Sequence, residues 1–209
     1  MKKRIAVLVS GGGTNLQAIL DATRSGAIGS GEIVAVISNK AEAYGLERAQ
    51  KNGIVTYTVE KKDYPDAEAF MDALQKTLEG VKPDLVVLAG FMCILPDKFI
   101  RAFKNRMINV HPSLIPSFCG EGYYGIHVHE KALEYGVKVS GATVHFVNEV
   151  TDGGAIILQK AVNVQEDDTP QTLQKRIMEQ AEWKILPQAI ELFCADRIQI
   201  DGRTTKRRI

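Results

Sequence analysis

Short apolar runs rich in β-branched residues alternate with stretches of helical spacing through the first half of the chain, and this alternation limits the fold more than any other feature. The runs are RIAVLVS at 4–10, EIVAVISN at 32–39, IVTYTV at 54–59 and DLVVLAG at 84–90. Their continuous apolarity suits strands buried on both faces of a parallel sheet. Between them, NLQAILDATRSG, GLERAQKNG and DAEAFMDALQKTLEG carry helical spacing and end in glycine, the usual helix stop. Strand and helix in alternation predict right-handed crossovers, hence a doubly wound, mostly parallel α/β sheet with helices on both faces. RMINV at 106–110 supplies a fifth strand. The second half differs: VSGATVHFV at 139–147 and GAIILQKAVNV at 154–164 have no helix between them and are expected to pair as antiparallel C-terminal edge strands. From Thr169 to about Ala195 the chain reads as helix, with Thr169 as N-cap, Pro170 at the first helical position and Pro187 as a kink or a division. RTTKRRI at the end reads as a frayed, solvated basic tail.

A length of 209 residues holds one substantial core and leaves little room for two full domains. The formal charge of +1 gives no electrostatic footprint for nucleic acid or an anionic membrane, so an anionic ligand must be held by local geometry. No run approaches the roughly 18 apolar residues of a membrane span. The apolar stretch after the basic start, about five residues, is short of the roughly 7 to 15 of a secretion signal. Three widely spaced cysteines, Cys93, Cys119 and Cys194, suggest neither a disulfide framework nor a zinc site. A cytoplasmic location is expected.

Three motifs carry chemistry. SGGGTN, Ser10–Asn15, falls between the first strand and the first helix, where glycines permit a tight turn and exposed N–H groups suit a phosphate. It is not the dinucleotide fingerprint: Leu16 takes the place of the last glycine, and SNK rather than an acidic residue ends the second strand. A phosphomonoester fits better, and a glycine turn with no ligand is the plain alternative. Asn109 and His111, two apart at the end of a strand, point to one face near the carboxyl edge of the sheet, where open α/β folds bind ligands. Asparagine can donate to a developing oxyanion and histidine can move a proton near neutral pH. Asp152, before Gly153 and Gly154, is by itself a turn former; folded back to the sheet edge, its carboxylate would favour the imidazolium of His111 and raise its pKa. His127 and His129 read as surface or capping residues, His145 as a packed or locally bonded strand residue with an active-site role as the minority reading, and Cys93 as a buried thiol.

SGGGTNLQAI, SNKAEAYGLERA, PDLVVLAGFMCIL, INVHPSLIPSF, GATVHFVNEVTDGGAIILQ and EQAEWKILP, in this order from about residue 4 to 195, together resemble the phosphoribosylglycinamide formyltransferases, the folate-dependent transformylases of purine synthesis. The resemblance implies the formyltransferase fold and transfer of a formyl group from 10-formyltetrahydrofolate, as co-substrate, to the amine of glycinamide ribonucleotide. It implies a catalytic trio Asn109, His111 and Asp152, and a substrate-phosphate loop Gly13, Thr14 and Asn15. It also implies a glycinamide-side acid, Glu182, and a folate pocket lined by Met92, Cys93, Ile94, Leu95 and Asn109 with the loop Asn148, Glu149, Val150, Thr151 and Asp152. No metal is implied. The expected organisation is one formyltransferase domain over 1–209: a phosphate-binding Rossmann-like half at 1–105, a folate and catalytic half at 106–197, and a basic tail at 198–209. The expected partners are the two small-molecule substrates, not nucleic acid or membrane, with the chain a monomer or weak homodimer. Departures from the family pattern are Cys93 where many relatives carry arginine, Ala67 near where some place a basic residue, and a longer loop, SFCGEGYYGIHVH, after the proline-rich motif.

Two rival enzymes share this core. Formyltetrahydrofolate hydrolase adds an N-terminal regulatory domain, and methionyl-tRNA formyltransferase a C-terminal nucleic-acid-binding domain. A non-catalytic sugar-phosphate sensor would use the glycine loop and leave Asn109, His111 and Asp152 without a shared task. An NAD-dependent dehydrogenase lacks its fingerprint.

Overall fold

The computed structural model describes residues 1–208. A seven-stranded sheet is formed by β1 (Lys3–Val9), β2 (Gly31–Ser38), β3 (Thr56–Thr58), β4 (Leu85–Leu88), β5 (Met107–His111), β6 (Val139–Phe146) and β7 (Ile156–Asn163), in the order β3-β2-β1-β4-β5-β6-β7. The first five strands are parallel, as the strand and helix alternation requires; β6 adds antiparallel to β5, and β7 antiparallel to β6. The chain runs outward from β1 to β3 and then crosses back to β4, so β1 and β4 flank the switch point where the crossovers diverge.

Helices α1 (Thr14–Ser25), α2 (Tyr44–Lys51), α3 (Ala67–Val81), α4 (Asp97–Ala102), α5 (His127–Tyr135), α6 (Pro170–Ile177) and α7 (Trp183–Cys194) cover the sheet. Alternate residues of β1 feed two separate cores. Ile5, Val7 and Val9 pack with α1, α6 and α7, whereas Ala6 and Leu8 pack with Phe70, Leu74 and Leu78 of α3 and with Phe99 of α4. Burial on both faces explains why these strands read as continuous apolar runs.

Three expectations need correction. The third strand is confined to three residues at the sheet edge, where one neighbour supports it. Proline does not divide the last helix: α6 and α7 meet at a π-helical turn, Met178–Glu182, and Pro187 lies inside α7. That proline's ring crowds the carbonyl four residues back, Trp183, where the wider turn has just ended. Through Arg208 the basic end is not frayed; Ile209 lies outside the described residues. β8 (Ile198–Asp201) and β9 (Thr204–Arg207) make a hairpin; Ile198 and Ile200 pack on the core and Thr205 Oγ1 donates to the Ile156 carbonyl at 2.8 Å. The peptide between Ile115 and Pro116 is cis. Among the described residues, no helix is long and apolar enough to cross a membrane.

Candidate active site

The glycine loop leaves β1 and enters α1 with Gly13 in the left-handed region, φ 67. A Cβ at Gly13 would stand 2.7 Å from Gly45 Cα, so α2 packs against bare backbone there. Gly45 N donates to the Gly11 carbonyl at 3.0 Å, and Arg48 fixes the loop from beneath, its Nε donating to the Gly12 carbonyl at 2.8 Å and its Nη1 to Gln17 Oε1 at 2.9 Å. Thr14 and Asn15 are the first two residues of α1, whose N-terminus has no side-chain cap; its leading N–H groups suit an anion. A hollow of about 160 Å³ flanks this end of α1, lined by Thr14, Gln17, Ala18, Asp21, Arg48 and Trp183. None of Asn109, His111 and Asp152 lines it.

The π-helical turn carries Glu182 to the same place. Its carboxylate is buried and Asn15 Nδ2 donates to Oε2 at 2.6 Å. Burial pushes the carboxyl up to about 7, against the bond from Asn15. Glu182 therefore holds a proton for part of the time at neutral pH, an unusual state for a carboxyl.

At the other end of the site, β5 ends in Asn109 and His111 on one face, paired across to His145 and Thr143 of β6. The turn after β6 returns Asp152 to them. Asp152 takes φ 53, Gly153 N donates to the Val150 carbonyl at 2.8 Å, and Gly154 lies so close to the Phe146 carbonyl that no side chain fits. Asp152 Oδ2 lies 3.5 Å from His111 Nδ1, and Oδ1 lies 3.5 Å from His145 Nε2. His111 Nε2 donates to the Phe118 carbonyl at 2.8 Å, and Gly120 N donates to Asp152 Oδ2 at 2.9 Å, so the long loop after Pro116 touches both groups through its main chain.

The electrostatics correct one expectation. Asp152 does face His111, but burial of the imidazole outweighs the carboxylate and the Phe118 carbonyl, and the pKa falls below the usual histidine range. With Nε2–H committed to Phe118, the neutral ring offers its Nδ1 lone pair toward Asp152. Burial acts to raise the Asp152 carboxyl; the hydrogen bond from His145, the charge that His111 carries at the acid pH where Asp152 titrates, and the Gly120 N–H outweigh it and hold it below the usual value.

Sequence reasoning undervalued His145. Its Nδ1 donates to the Phe146 carbonyl at 2.8 Å, and its Nε2 lies 3.4 Å from Asn109 Nδ2 and 3.5 Å from Asp152 Oδ1. Only the β5–β6 register puts it opposite Asn109. His129 was also misread. It is fully buried, neither ring nitrogen has a hydrogen-bond partner among the described residues, and burial, with the nearby His111, pushes its pKa down to about 4. His127, by contrast, is an exposed first-turn residue of α5 paired with Glu130 at 2.7 Å.

Met92 and Ile94 are exposed, Leu95 is buried, and burial raises the pKa of the half-buried Cys93 thiol. Asn148 Oδ1 accepts from Val150 N at 3.2 Å, Glu149 pairs with Arg101 at 3.3 Å, and Val150 and Thr151 are exposed. The structure thus forms two groups: Gly13, Thr14 and Asn15 with Glu182, and Asn109 and His111 with Asp152 and His145. Among the described residues no side-chain hydrogen bond joins one group directly to the other, and no cluster of three or more His, Cys, Asp or Glu side chains could hold a metal ion.

The model of the family described as "Formyl transferase" matches residues 3–190. The chain belongs to the formyl transferase family. This formyl transferase is 43% identical to the phosphoribosylglycinamide formyltransferase of Haemophilus influenzae over 95% of its own length and 90% of that protein. It is 46% identical over 95% of its length to the trifunctional purine biosynthetic protein adenosine-3 of Bos taurus, of which it spans only 19%. Among solved structures, glycinamide ribonucleotide transformylase 1 of Symbiobacterium toebii superposes on it with a TM-score of 0.92 at 47% identity, covering 99% of this chain and 94% of that one.

Proposed function

We propose that the chain transfers the formyl group of 10-formyltetrahydrofolate to the amine of glycinamide ribonucleotide, a step of purine synthesis. The observation that carries this reading is the meeting of Asn109, His111 and Asp152 at the carboxyl end of β5, with Asp152 3.5 Å from His111. The names of the relatives support it.

In this reading the phosphate rests on the N–H groups of Gly13, Thr14 and Asn15, with Glu182 toward the glycinamide. The folate lies along Met92, Cys93, Ile94 and Leu95 and under Asn148, Glu149, Val150, Thr151 and Asp152. Residues 1–105 supply the phosphate half and 106–197 the folate half of one unit, which acts in the cytoplasm as a monomer or weak homodimer.

The amine nitrogen attacks the formyl carbon, and the carbonyl electrons move to oxygen. Asn109 Nδ2 donates to that oxyanion. The attacking nitrogen must lose a proton, and His111, neutral before the reaction, accepts it at Nδ1. Asp152 stabilises the imidazolium as it forms and orients it. Collapse of the tetrahedral adduct restores the carbonyl, breaks the bond to N10 of the folate and returns the proton to that nitrogen. The products are the formylated ribonucleotide and tetrahydrofolate, and the proton balance closes with the chain's own side chains.

The test is turnover of 10-formyltetrahydrofolate with and without glycinamide ribonucleotide, followed by absorbance and product mass. Turnover that requires the amine and yields the formylated ribonucleotide is the expected result. Formate released regardless of amine would mean a hydrolase, and binding of a sugar phosphate without turnover would mean a sensor.

A further inference from the structure

Phe91–Leu95 runs from β4 toward α4 without joining a strand or helix. Phe91 and Leu95 are buried, while Met92 and Ile94 between them are 52% and 85% exposed. Packing therefore holds the two ends and leaves the middle to hydrogen bonds. Of the backbone N–H groups of these five residues, that of Met92 alone has a partner among the described residues, and the partner is Ser10 Oγ at 2.8 Å.

Ser10 follows β1 directly and opens the glycine loop. It is buried, and its own N–H donates to the Gly90 carbonyl at 3.1 Å, so it touches the strand exit on the folate side twice. Its hydroxyl donates to Asn39 Oδ1, just beyond β2, at 2.7 Å. With its proton committed to Asn39, the oxygen turns a lone pair to Met92 N–H; one hydroxyl serves as donor and acceptor at once. The exits of three adjacent strands, β2, β1 and β4, are joined through this atom.

We infer that Ser10 is a positioning residue that fastens the folate-lining segment to the glycine loop and so couples the two substrate half-sites. The inference rests on the functional reading above, which makes Met92–Leu95 a folate wall and Gly13–Asn15 a phosphate cradle. A segment already pinned at Met92 loses less freedom when a ligand lies along it. A phosphate that orders the glycine loop also steadies Ser10 and, through it, Met92, so each substrate raises the affinity for the other. Ser10 has no hydrogen bond to Asn109, His111 or Asp152, so its loss acts on binding rather than on the chemical step.

Ser10→Ala deletes both hydroxyl bonds. Relative to the unaltered chain, its KM for 10-formyltetrahydrofolate is expected to rise about five- to tenfold, with kcat changed less than about twofold, the scale of one lost hydrogen bond. Calorimetry with tetrahydrofolate as probe should show tighter binding in the presence of glycinamide ribonucleotide for the unaltered chain, and little such enhancement for Ser10→Ala. Asn39→Leu, at a less buried position, should move KM the same way by a smaller factor. Asn39→Asp, which keeps an acceptor for the hydroxyl, should stay near the unaltered chain. A folate KM unchanged in Ser10→Ala, or a defect confined to kcat, overturns the inference; if Ser10→Ala does not fold, Asn39→Leu decides in the same way. Failure of the unaltered chain to bind or turn over the folate would overturn the functional reading itself, and is distinguished because no variant is involved.

Discussion

Asn109 and His111 end their strand on side chains far away in sequence, His145 for one and Asp152 for the other, with the nearby Phe118 carbonyl completing the bonds of His111. Asn109→Ala removes the oxyanion donor and is expected to lower kcat by about 100- to 1,000-fold with little change in melting temperature; near-normal turnover at an unchanged fold would rule out that role. His111 gives a sharper prediction through its protonation state. Its pKa lies below 6.5, so the neutral base persists at pH 7 and is lost as the pH falls. Plotted against pH, log kcat/KM should show an acid limb beneath 6.5 that disappears in His111→Gln; a rate that instead declines with rising pH through that range would mean the charged ring is the active form. Glu182, near 7, titrates close by, so the profile is best repeated in Glu182→Gln. The polar residues of this site could be picked out in the sequence because asparagine and histidine are costly at the end of a buried strand. The direction of the histidine shift could not, because it is decided by how much protein closes over the ring. Spacing shows Asp152 as a possible neighbour and says nothing of burial.

At the level of elements, the glycine loop works because α2 approaches it at van der Waals distance. Gly13→Ala would put a methyl 2.7 Å from Gly45 Cα at a residue already at φ 67. We expect a loss of about 1–3 kcal/mol in stability by urea unfolding, together with a raised KM for the ribonucleotide. Full stability and unchanged KM would show that the loop tolerates displacement. Strands and helices of the first half were legible in sequence because burial on both faces produces unbroken β-branched runs and glycine follows the ends of α1 and α2; α3 instead runs through Gly80 and is closed by Lys82 at φ 52. α4, six residues long, is too short for its period to register. The terminal hairpin was obscured by its charge: TTKR looks solvated, yet Thr205 bonds to Ile156 and the preceding isoleucines reach the core. The π-helical turn at Met178–Glu182 has no sequence period of its own, although it delivers Glu182 to Asn15.

Two buried titratable groups, His129 and Glu182, set opposing pH dependences for the whole molecule. His129 has a folded pKa of about 4 against about 6.5 unfolded, so stability is lost as pH falls through that window. Glu182 has a folded pKa of about 7 against about 4.5 unfolded, so its contribution is present at low pH and is lost as pH rises through that window. Between about 4.5 and 6.5 the two slopes, each near 1.4 kcal/mol per pH unit, work against one another. Relative to the unaltered chain, in which His111 adds a contribution of the same sign as His129, His129→Leu should therefore tilt stability toward falling with rising pH across that interval and Glu182→Gln toward rising, as followed by urea midpoints at successive pH values. Equal slopes in all three proteins would show that neither group is buried in this way. Overall topology was accessible from the alternation of elements, but the meeting of residues 15 and 182, or 111 and 152, belongs to the folded sheet and to no local pattern. The loop after Pro116 reaches His111 and Asp152 through the Phe118 carbonyl and the Gly120 N–H, atoms that nearly every amino acid possesses. Its side chains at Cys119, Glu121, Tyr123 and Tyr124 are thereby released from the proton transfer, whereas Gly120 and Gly122, at φ 89 and 84, are held by the backbone, so a lineage can vary the former while the proton-transfer apparatus is inherited intact.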